Sequence, residues 1–121
     1  MIRGSHVILY SADAEADRAF LRDVLEFPHV DVGGGWLIFD VPEADMGCHP
    51  ADPNSVHGEP SGTNHISFYC DDVRATREEL KGRGVEFVDG ISDRGYGLVT
   101  HFKVPGGFEV ELYQPKYAKG K

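Results

Sequence analysis

Two segments of the chain superimpose without a gap, and this internal repeat constrains the fold more than any other feature. At an offset of 59 residues, positions 6–10 (HVILY) match positions 65–69 (HISFY). The same offset aligns further pairs downstream: Asp13 with Asp72, Ala16 with Ala75, Arg18 with Arg77 and Leu21 with Leu80. Both segments have the pattern of a strand that runs into a helix. Each predicted strand begins with histidine, a poor core residue unless a partner satisfies it. Two halves related by a pseudo-two-fold axis would let His6 and His65 meet.

The predicted elements follow the order β-α-β-β-β twice, which defines an α+β chain of two modules in one domain. We place module 1 at residues 1–58, a linker at 59–62 and module 2 at 63–121. In module 1 we predict a strand at 7–11, a helix at 13–26 and strands at 28–32, 36–41 and 44–48. In module 2 we predict a strand at 64–70, a helix at 72–83 and strands at 85–88, 98–104 and 108–113. The glycines at 33–35 predict a hairpin turn rather than a phosphate loop, because no helix and no Lys-Ser/Thr pair follow them.

Composition excludes several classes of function. The net charge of -8 leaves no basic face for a nucleic acid. No apolar run approaches the roughly 20 residues of a membrane span, and we expect no signal peptide. Cys48 and Cys70 are expected to be free thiols, as in a reducing compartment, so we expect a cytoplasmic protein.

Strand alternation gathers a set of polar side chains on one concave surface. These are His6, His49, His65, His101 and Glu111. They are either the solvated face of a small sheet or a site. A site is favoured because two histidines hold equivalent repeat positions and a glutamate lies mid-strand between apolar neighbours. Two imidazoles and a carboxylate are the ligand set of an open site for Fe(II), Mn(II) or a similar ion. Three ligands leave positions for water or substrate, which suits catalysis.

The chain resembles the vicinal oxygen chelate superfamily, which includes glyoxalase I, extradiol dioxygenases and bleomycin-binding proteins. The resemblance covers residues 4–115 and is most specific at 64–72 (NHISFYCDD) and 104–113 (VPGGFEVELY). It implies a curved mixed sheet around a central cavity. It also places His6, His65 and Glu111 at metal-ligand positions, for an ion whose identity among Fe, Mn, Ni and Zn stays open. The family's closing motif commonly begins with aspartate, where this chain has Val104.

The sequence departs from the family at two positions of the site. Gly47 occupies the place of a fourth ligand and cannot bind metal, which weakens a glyoxalase I assignment. His49, one step along the same face, is an alternative ligand, a wall residue or an acid/base. His101 stands where extradiol dioxygenases carry tyrosine, ten residues before the glutamate ligand. An imidazole with an ordinary pKa of about 6.5 is suited to acid–base catalysis at neutral pH.

Two functions follow from the resemblance. The first is a metal-dependent enzyme, extradiol-dioxygenase-like or glyoxalase-like, whose small substrate chelates the metal through vicinal oxygens. The second is a metal-free protein of the bleomycin-resistance type that sequesters a drug or antibiotic. Aromatic residues are candidates to line such a cavity: Tyr10, Trp36, Tyr69 and Tyr96. We expect two partners, a small molecule and a second copy of the chain. The two copies either exchange modules or pair without exchange.

Overall fold

The computed structural model describes residues 6–9, 11–41, 43–44 and 65–117. The described elements are α1 (Ala14–Asp23), β1 (His29–Asp31), β2 (Leu37–Phe39), β3 (Ser67–Tyr69), α2 (Val73–Gly82), β4 (Glu86–Phe87), β5 (Ser92–Asp93), β6 (Gly97–Lys103) and β7 (Glu109–Pro115). No helix among these residues has the length and apolar character needed to cross a membrane.

The strands of the second half form a mixed five-stranded sheet. Its order is β3-β7-β6-β4, and β5 pairs with β6 beside this path. Strand β3 runs parallel to β7, whereas β6 is antiparallel to β7, β4 and β5. In the first half, β1 and β2 form an antiparallel hairpin across the glycine turn, whose backbone N–H groups at Gly33 and Gly35 donate to Asp31. The predicted α+β class with a curved mixed sheet is confirmed.

The strands predicted at 28–32 and 36–41 form, but the other two strands predicted in the first module are not found among the described residues. The prediction of a strand at 7–11 is wrong for the described residues 7–9 and 11, which have no regular structure. A strand forms only by pairing, and no described strand pairs with this segment. The strand predicted at 44–48 lies outside the described residues except for Ala44, which is not in a strand. The linker at 59–62 also lies outside the described residues.

The repeated aspartates cap the two helices in the same way. The Asp13 carboxylate accepts the backbone N–H of Ala16 at 3.0 Å, and Asp72 accepts that of Ala75 at 3.1 Å. Each cap satisfies a helix N–H that has no partner within the helix and contributes about 1 kcal/mol. The aspartates that the sequence repeat aligns therefore mark the N-terminus of each helix.

Both helices pack on one face of the five-stranded sheet. Val73 and Leu80 of α2 are buried in a cluster with Phe102 and Leu112 of the sheet. The α1 side chain Phe20 joins the same cluster, with its ring centroid 6.3 Å from that of Phe102. Alternation along the strands of the second half predicts their helix-side residues, and these belong to this core or pack against it: Ile66, Phe68, Cys70, Leu98, Phe102, Val104, Phe108, Val110 and Leu112. Thr100, predicted on the same side, is fully buried. The opposite face carries the polar residues Ser67, His101 and Glu111 beside buried Val99 and Tyr113.

A buried carboxylate joins α1 to the turn between β6 and β7. Asp17 is 6% exposed, and its Oδ1 accepts the backbone N–H of Gly106 at 2.6 Å. The turn approaches so closely that a Cβ on Gly106 would lie 1.9 Å from the Ser11 hydroxyl and 2.5 Å from Asp17 Oδ2. Only glycine fits this contact between the first module and the main sheet.

We predict that Gly106→Ala lowers the free energy of unfolding by about 1–3 kcal/mol, because the added methyl group forces the turn away from α1. Urea unfolding monitored by circular dichroism measures the change. Gly90→Ala is the matched control, since its Cβ would meet nothing within 4 Å and should change stability by less than about 0.5 kcal/mol. Equal effects of the two substitutions would contradict the packing described here.

Candidate active site

The candidate site is centred on Glu111, in the middle of β7. Strand β7 lies between β3 and β6, so that Glu111 has Ser67 on one side and His101 on the other in register. These three residues alternate with neighbours that are buried in the core or pack against it, and they therefore project from the face away from the helices. The face predicted for His101 and Glu111 is confirmed by this register.

Two hydroxyl groups hold the Glu111 carboxylate. The Ser67 hydroxyl donates to Oε2 at 2.8 Å, and the Tyr96 hydroxyl donates to Oε1 at 2.7 Å. Burial and then the hydrogen bond to Glu111 raise the pKa of Tyr96, so the phenol stays protonated as a donor at neutral pH. Each carboxylate oxygen has two acceptor positions, and these bonds occupy one on each. The carboxylate is thus oriented with acceptor capacity left over.

His101 is placed between two carboxylates. Its Nδ1 lies 2.7 Å from Asp89 Oδ2, and its Nε2 lies 3.9 Å from Glu111 Oε1. Both the His101 and the Glu111 side chains are 20% exposed. Asp89 Oδ1 also accepts the backbone N–H of His101 at 2.8 Å and the Thr100 hydroxyl at 3.0 Å. Partial burial acts to raise the pKa of Asp89, but these hydrogen bonds outweigh it and hold the pKa below its ordinary value.

The structure of one chain brings His101 to Glu111, but it does not gather the three predicted metal ligands. His65 is exposed just before β3, and His6 is exposed ahead of α1. Among the residues that the structure describes, no three His, Cys, Asp or Glu side chains form a group that could hold a metal ion. The chemistry of the donors fits a divalent ion, and Glu111 retains acceptor positions for one. The set of His6, His65 and Glu111 stays a prediction, and His49 lies outside the described residues.

A row of tyrosines extends from Glu111 along the same face. The ring of Tyr113, two residues further along β7, lies 5.8 Å from that of Tyr96 and 6.2 Å from that of Tyr69. The Tyr113 and Tyr117 hydroxyls are 3.0 Å apart. Aromatic rings at these separations attract one another. Tyr113 is itself buried at 7% exposure, whereas Tyr96 is 42% exposed and presents its ring to a ligand. The polar site therefore has an aromatic border.

A separate cavity of about 340 Å³ lies between the end of α1, α2 and the sheet. Its lining includes Phe27, Phe68 and Leu80, which belong to the helix side of the sheet or to the helices. Cys70 also lines it as a free thiol, and burial raises its pKa, which makes it a poor nucleophile. This cavity lacks the acid–base pair found around Glu111.

Sequence reasoning missed Asp89 and the roles of Ser67 and Tyr96. Alternation along β3 placed Ser67 on the correct face, but nothing in the sequence linked it to Glu111 rather than to solvent. Asp89 precedes Gly90 after a short strand, which is an ordinary turn signal. Its contact with His101 depends on the pairing of β4 with β6 and could not be inferred from spacing.

The fold is that of a small α+β protein whose sheet carries the polar groups of the candidate site on the face opposite the helices. A family model described as the Glyoxalase/Bleomycin resistance protein/Dioxygenase superfamily matches residues 3–112, so the chain belongs to this family.

Particular relatives perform different tasks. The chain is 27% identical to a manganese-dependent 2,3-dihydroxybiphenyl 1,2-dioxygenase of Geobacillus genomosp. 3 over 96% of its length, and it spans 39% of that protein. It is 26% identical to the crystal structure of TnmS3, an antibiotic binding protein from Streptomyces sp. CB03234, with a TM-score of 0.62 and coverage of 96% of this chain and 100% of that one. A lactoylglutathione lyase from Agrobacterium tumefaciens, at 21% identity, shares the fold with a TM-score of 0.59 and coverage of 92% of each chain.

Because the pKa of Asp89 is lowered in the folded protein, we expect the free energy of unfolding to depend on this group at acidic pH. Because the folded protein binds this proton more weakly than the unfolded chain, the stabilisation is present above the unfolded pKa and is lost as pH falls through the folded pKa. We expect wild type to exceed Asp89→Asn in free energy of unfolding by a margin that is constant near neutrality. The margin should shrink as the pH falls below 3.8, the ordinary pKa of an aspartate side chain. Urea titrations at several pH values measure it, and a margin that stays constant into strong acid would contradict the prediction.

Proposed function

We propose that the chain is a metal-dependent enzyme whose small substrate presents two vicinal oxygen atoms at the face around Glu111. One observation carries the proposal: a carboxylate held by two hydroxyl donors lies 3.9 Å from an imidazole that a second carboxylate orients. A surface that merely binds a ligand has no need of an imidazole held in this way. An oriented imidazole next to a carboxylate is what acid–base chemistry on a substrate requires.

The proposed ligands of the ion are His6, His65 and Glu111, and Mn, Fe, Ni and Zn are the candidate metals. Manganese has support from the relative that is a manganese-dependent dioxygenase. When bound, such an ion supplies a Lewis acid for two substrate oxygens and stabilises negative charge that develops on them. The name of that relative's substrate, 2,3-dihydroxybiphenyl, describes adjacent hydroxyl groups on an aromatic ring. The tyrosine row beside Glu111 suits a flat ring of this kind, which favours the extradiol-dioxygenase-like reaction over the glyoxalase-like one.

The residues around Glu111 have different proposed roles. Glu111 contributes negative charge, and Ser67 and Tyr96 hold its carboxylate in one orientation. His101 presents Nε2 toward Glu111 and is placed to take a proton from a substrate hydroxyl or return one. The partial burial of both side chains limits competition from water.

The proposal includes a homodimer in the cytoplasm, in which a second copy completes the site. Large apolar side chains of module 1 are exposed in the single chain: Val7 (61%), Ile8 (60%), Val30 (61%), Val32 (64%) and Trp36 (59%). Exposed apolar patches of this kind commonly mark interfaces. His6 directly precedes two of these residues, so a copy that covers Val7 and Ile8 also covers His6. The ligand set that one chain does not assemble is thus proposed to form between copies.

A metal-free binding protein is the second candidate function. It is favoured by the similarity to an antibiotic binding protein across the whole length of that chain. The 42% exposed ring of Tyr96, which packs against buried Tyr113, is equally suited to stack on an aromatic antibiotic. Metal content separates the two candidates, because sequestration by stacking needs no ion.

We predict that protein purified without chelators contains stoichiometric metal and that Glu111→Gln reduces the retained metal by more than about tenfold. The substitution keeps the shape of the side chain and removes the charge. Even the loss of a group that only hydrogen-bonds to a metal ligand costs about that factor in metal affinity. Inductively coupled plasma mass spectrometry gives the metal content. Glu86→Gln is the matched control, because Glu86 lies exposed on β4 away from the site.

His101→Ala is expected to keep the metal while it lowers turnover of 2,3-dihydroxybiphenyl by about 10²-fold or more. Wild-type protein that holds no metal after incubation with each candidate ion would overturn the enzyme proposal in favour of the binding protein.

We also predict that the protein has twice the mass of one chain in size-exclusion chromatography with light scattering, and that Ile8→Asp converts it to a monomer. A buried carboxylate in an apolar interface is costly unless it is paired. Val88→Asp is the control, since Val88 is a 42% exposed apolar residue of module 2. A monomeric wild type would contradict the proposed completion of the site by a second copy.

A further inference from the structure

We propose that Asp89 is a positioning residue that fixes His101 in the tautomer with hydrogen on Nδ1 and the lone pair of Nε2 directed to the Glu111 face. Asp89 does not belong to the predicted metal ligands or to the predicted acid–base groups. Its catalytic consequence rests on the proposed function, whereas the tautomer itself follows from contacts within the chain.

Asp89 is itself firmly held. Its Oδ1 accepts two donors, the backbone N–H of His101 and the hydroxyl of Thr100, which is fully buried. Its backbone carbonyl accepts Arg77 of α2 at 2.8 Å. The preceding residue, Val88, donates its backbone N–H to the carbonyl of His101 at 2.9 Å. The carboxylate therefore has one oxygen committed to fixed donors, and its other oxygen is directed at the imidazole.

The second oxygen selects the tautomer of His101. Asp89 Oδ2 lies 2.7 Å from Nδ1, and an ionised carboxylate only accepts hydrogen bonds, so Nδ1 must carry the hydrogen. In a neutral imidazole the lone pair then lies on Nε2. The 3.9 Å from Nε2 to Glu111 Oε1 is too long for a direct hydrogen bond. The Nε2 lone pair is thus directed to the site without being consumed by Glu111, as a proton acceptor must be.

An isosteric substitution should reverse the tautomer without removing hydrogen bonds. In Asp89→Asn, the side-chain oxygen stays with the His101 N–H and the Thr100 hydroxyl, because an NH₂ group there would face two donors. The NH₂ group then takes the place of Oδ2 and donates to Nδ1. His101 is forced to carry its hydrogen on Nε2, and the lone pair is lost from the site. A purely structural role of Asp89 predicts no such reversal.

The test is a two-dimensional ¹H–¹⁵N correlation of the imidazole nitrogens in ¹⁵N-labelled full-length protein. Spectra are recorded at an alkaline pH where the ring shifts no longer change, and the His101 signals are assigned from their loss in His101→Gln. We expect a protonated Nδ1 and an unprotonated Nε2 in wild type, and the opposite pair in Asp89→Asn. His29 is the internal reference, because its Nδ1 lies 3.1 Å from the Phe27 carbonyl, a contact that does not involve Asp89. Asp93→Asn is the matched control, since Asp93 is exposed and bonds to Gly95 and Lys116 instead.

Turnover of 2,3-dihydroxybiphenyl by the metal-loaded protein gives the second measurement. Asp89→Asn should lower kcat by about 10²–10⁴-fold with KM and metal content unchanged, because the base is in the wrong tautomer. A wild-type His101 with hydrogen on Nε2, or an Asn variant that keeps the wild-type tautomer, overturns the positioning role. The ring-nitrogen measurement needs neither metal nor substrate. If wild type has no turnover but shows the expected reversal, the proposed enzyme fails and the role of Asp89 in setting the tautomer stands.

Discussion

The pairing of β7 between β3 and β6 is the constraint on which the rest of the structure depends. One register sets both faces of the sheet at once: Val110 and Leu112 enter the core beneath the helices, and Glu111 enters the site. Because side chains alternate strictly along a strand, a shift by one residue would bury Glu111 and expose the core. The burial of apolar side chains on one face thus fixes the position of the carboxylate on the other, and stability and function share one determinant.

Carboxylates cap the helices, hold a turn and form the candidate site in this small protein. The role of each carboxylate depends on the hydrogen-bond donors around it. Asp13 and Asp72 accept the first N–H groups of the helices, and buried Asp17 holds the turn at Gly106 against α1. The Asp89 carboxylate bonds to Thr100 and His101 of β6, while the Glu111 carboxylate accepts hydroxyls from Ser67 and Tyr96.

Sequence reasoning reached the helices, the hairpin and the long strands of the second half because their signals are local. Alternation predicted which side of β7 each residue occupies, and the repeat predicted equivalent helix starts. It failed at residues 7–9, whose β-branched pattern indicates a strand but whose backbone has no described partner. Sheet formation is a property of two segments, so a pattern in one of them is insufficient. Asp89 was missed for the same reason, because only the pairing of β4 and β6 gives it a partner.

By itself, the sequence determined the family, the α+β class, the starts of both helices and the face on which His101 and Glu111 lie, since each of these depends on periodicity or on short motifs. Only the tertiary structure decided that Ser67 and Tyr96 hold the Glu111 carboxylate and that Asp89 orients His101. Those contacts join residues 12 to 44 positions apart. The physical reason is that hydrogen bonds are decided over tenths of an ångström, whereas alternation along a strand specifies only a side of the sheet.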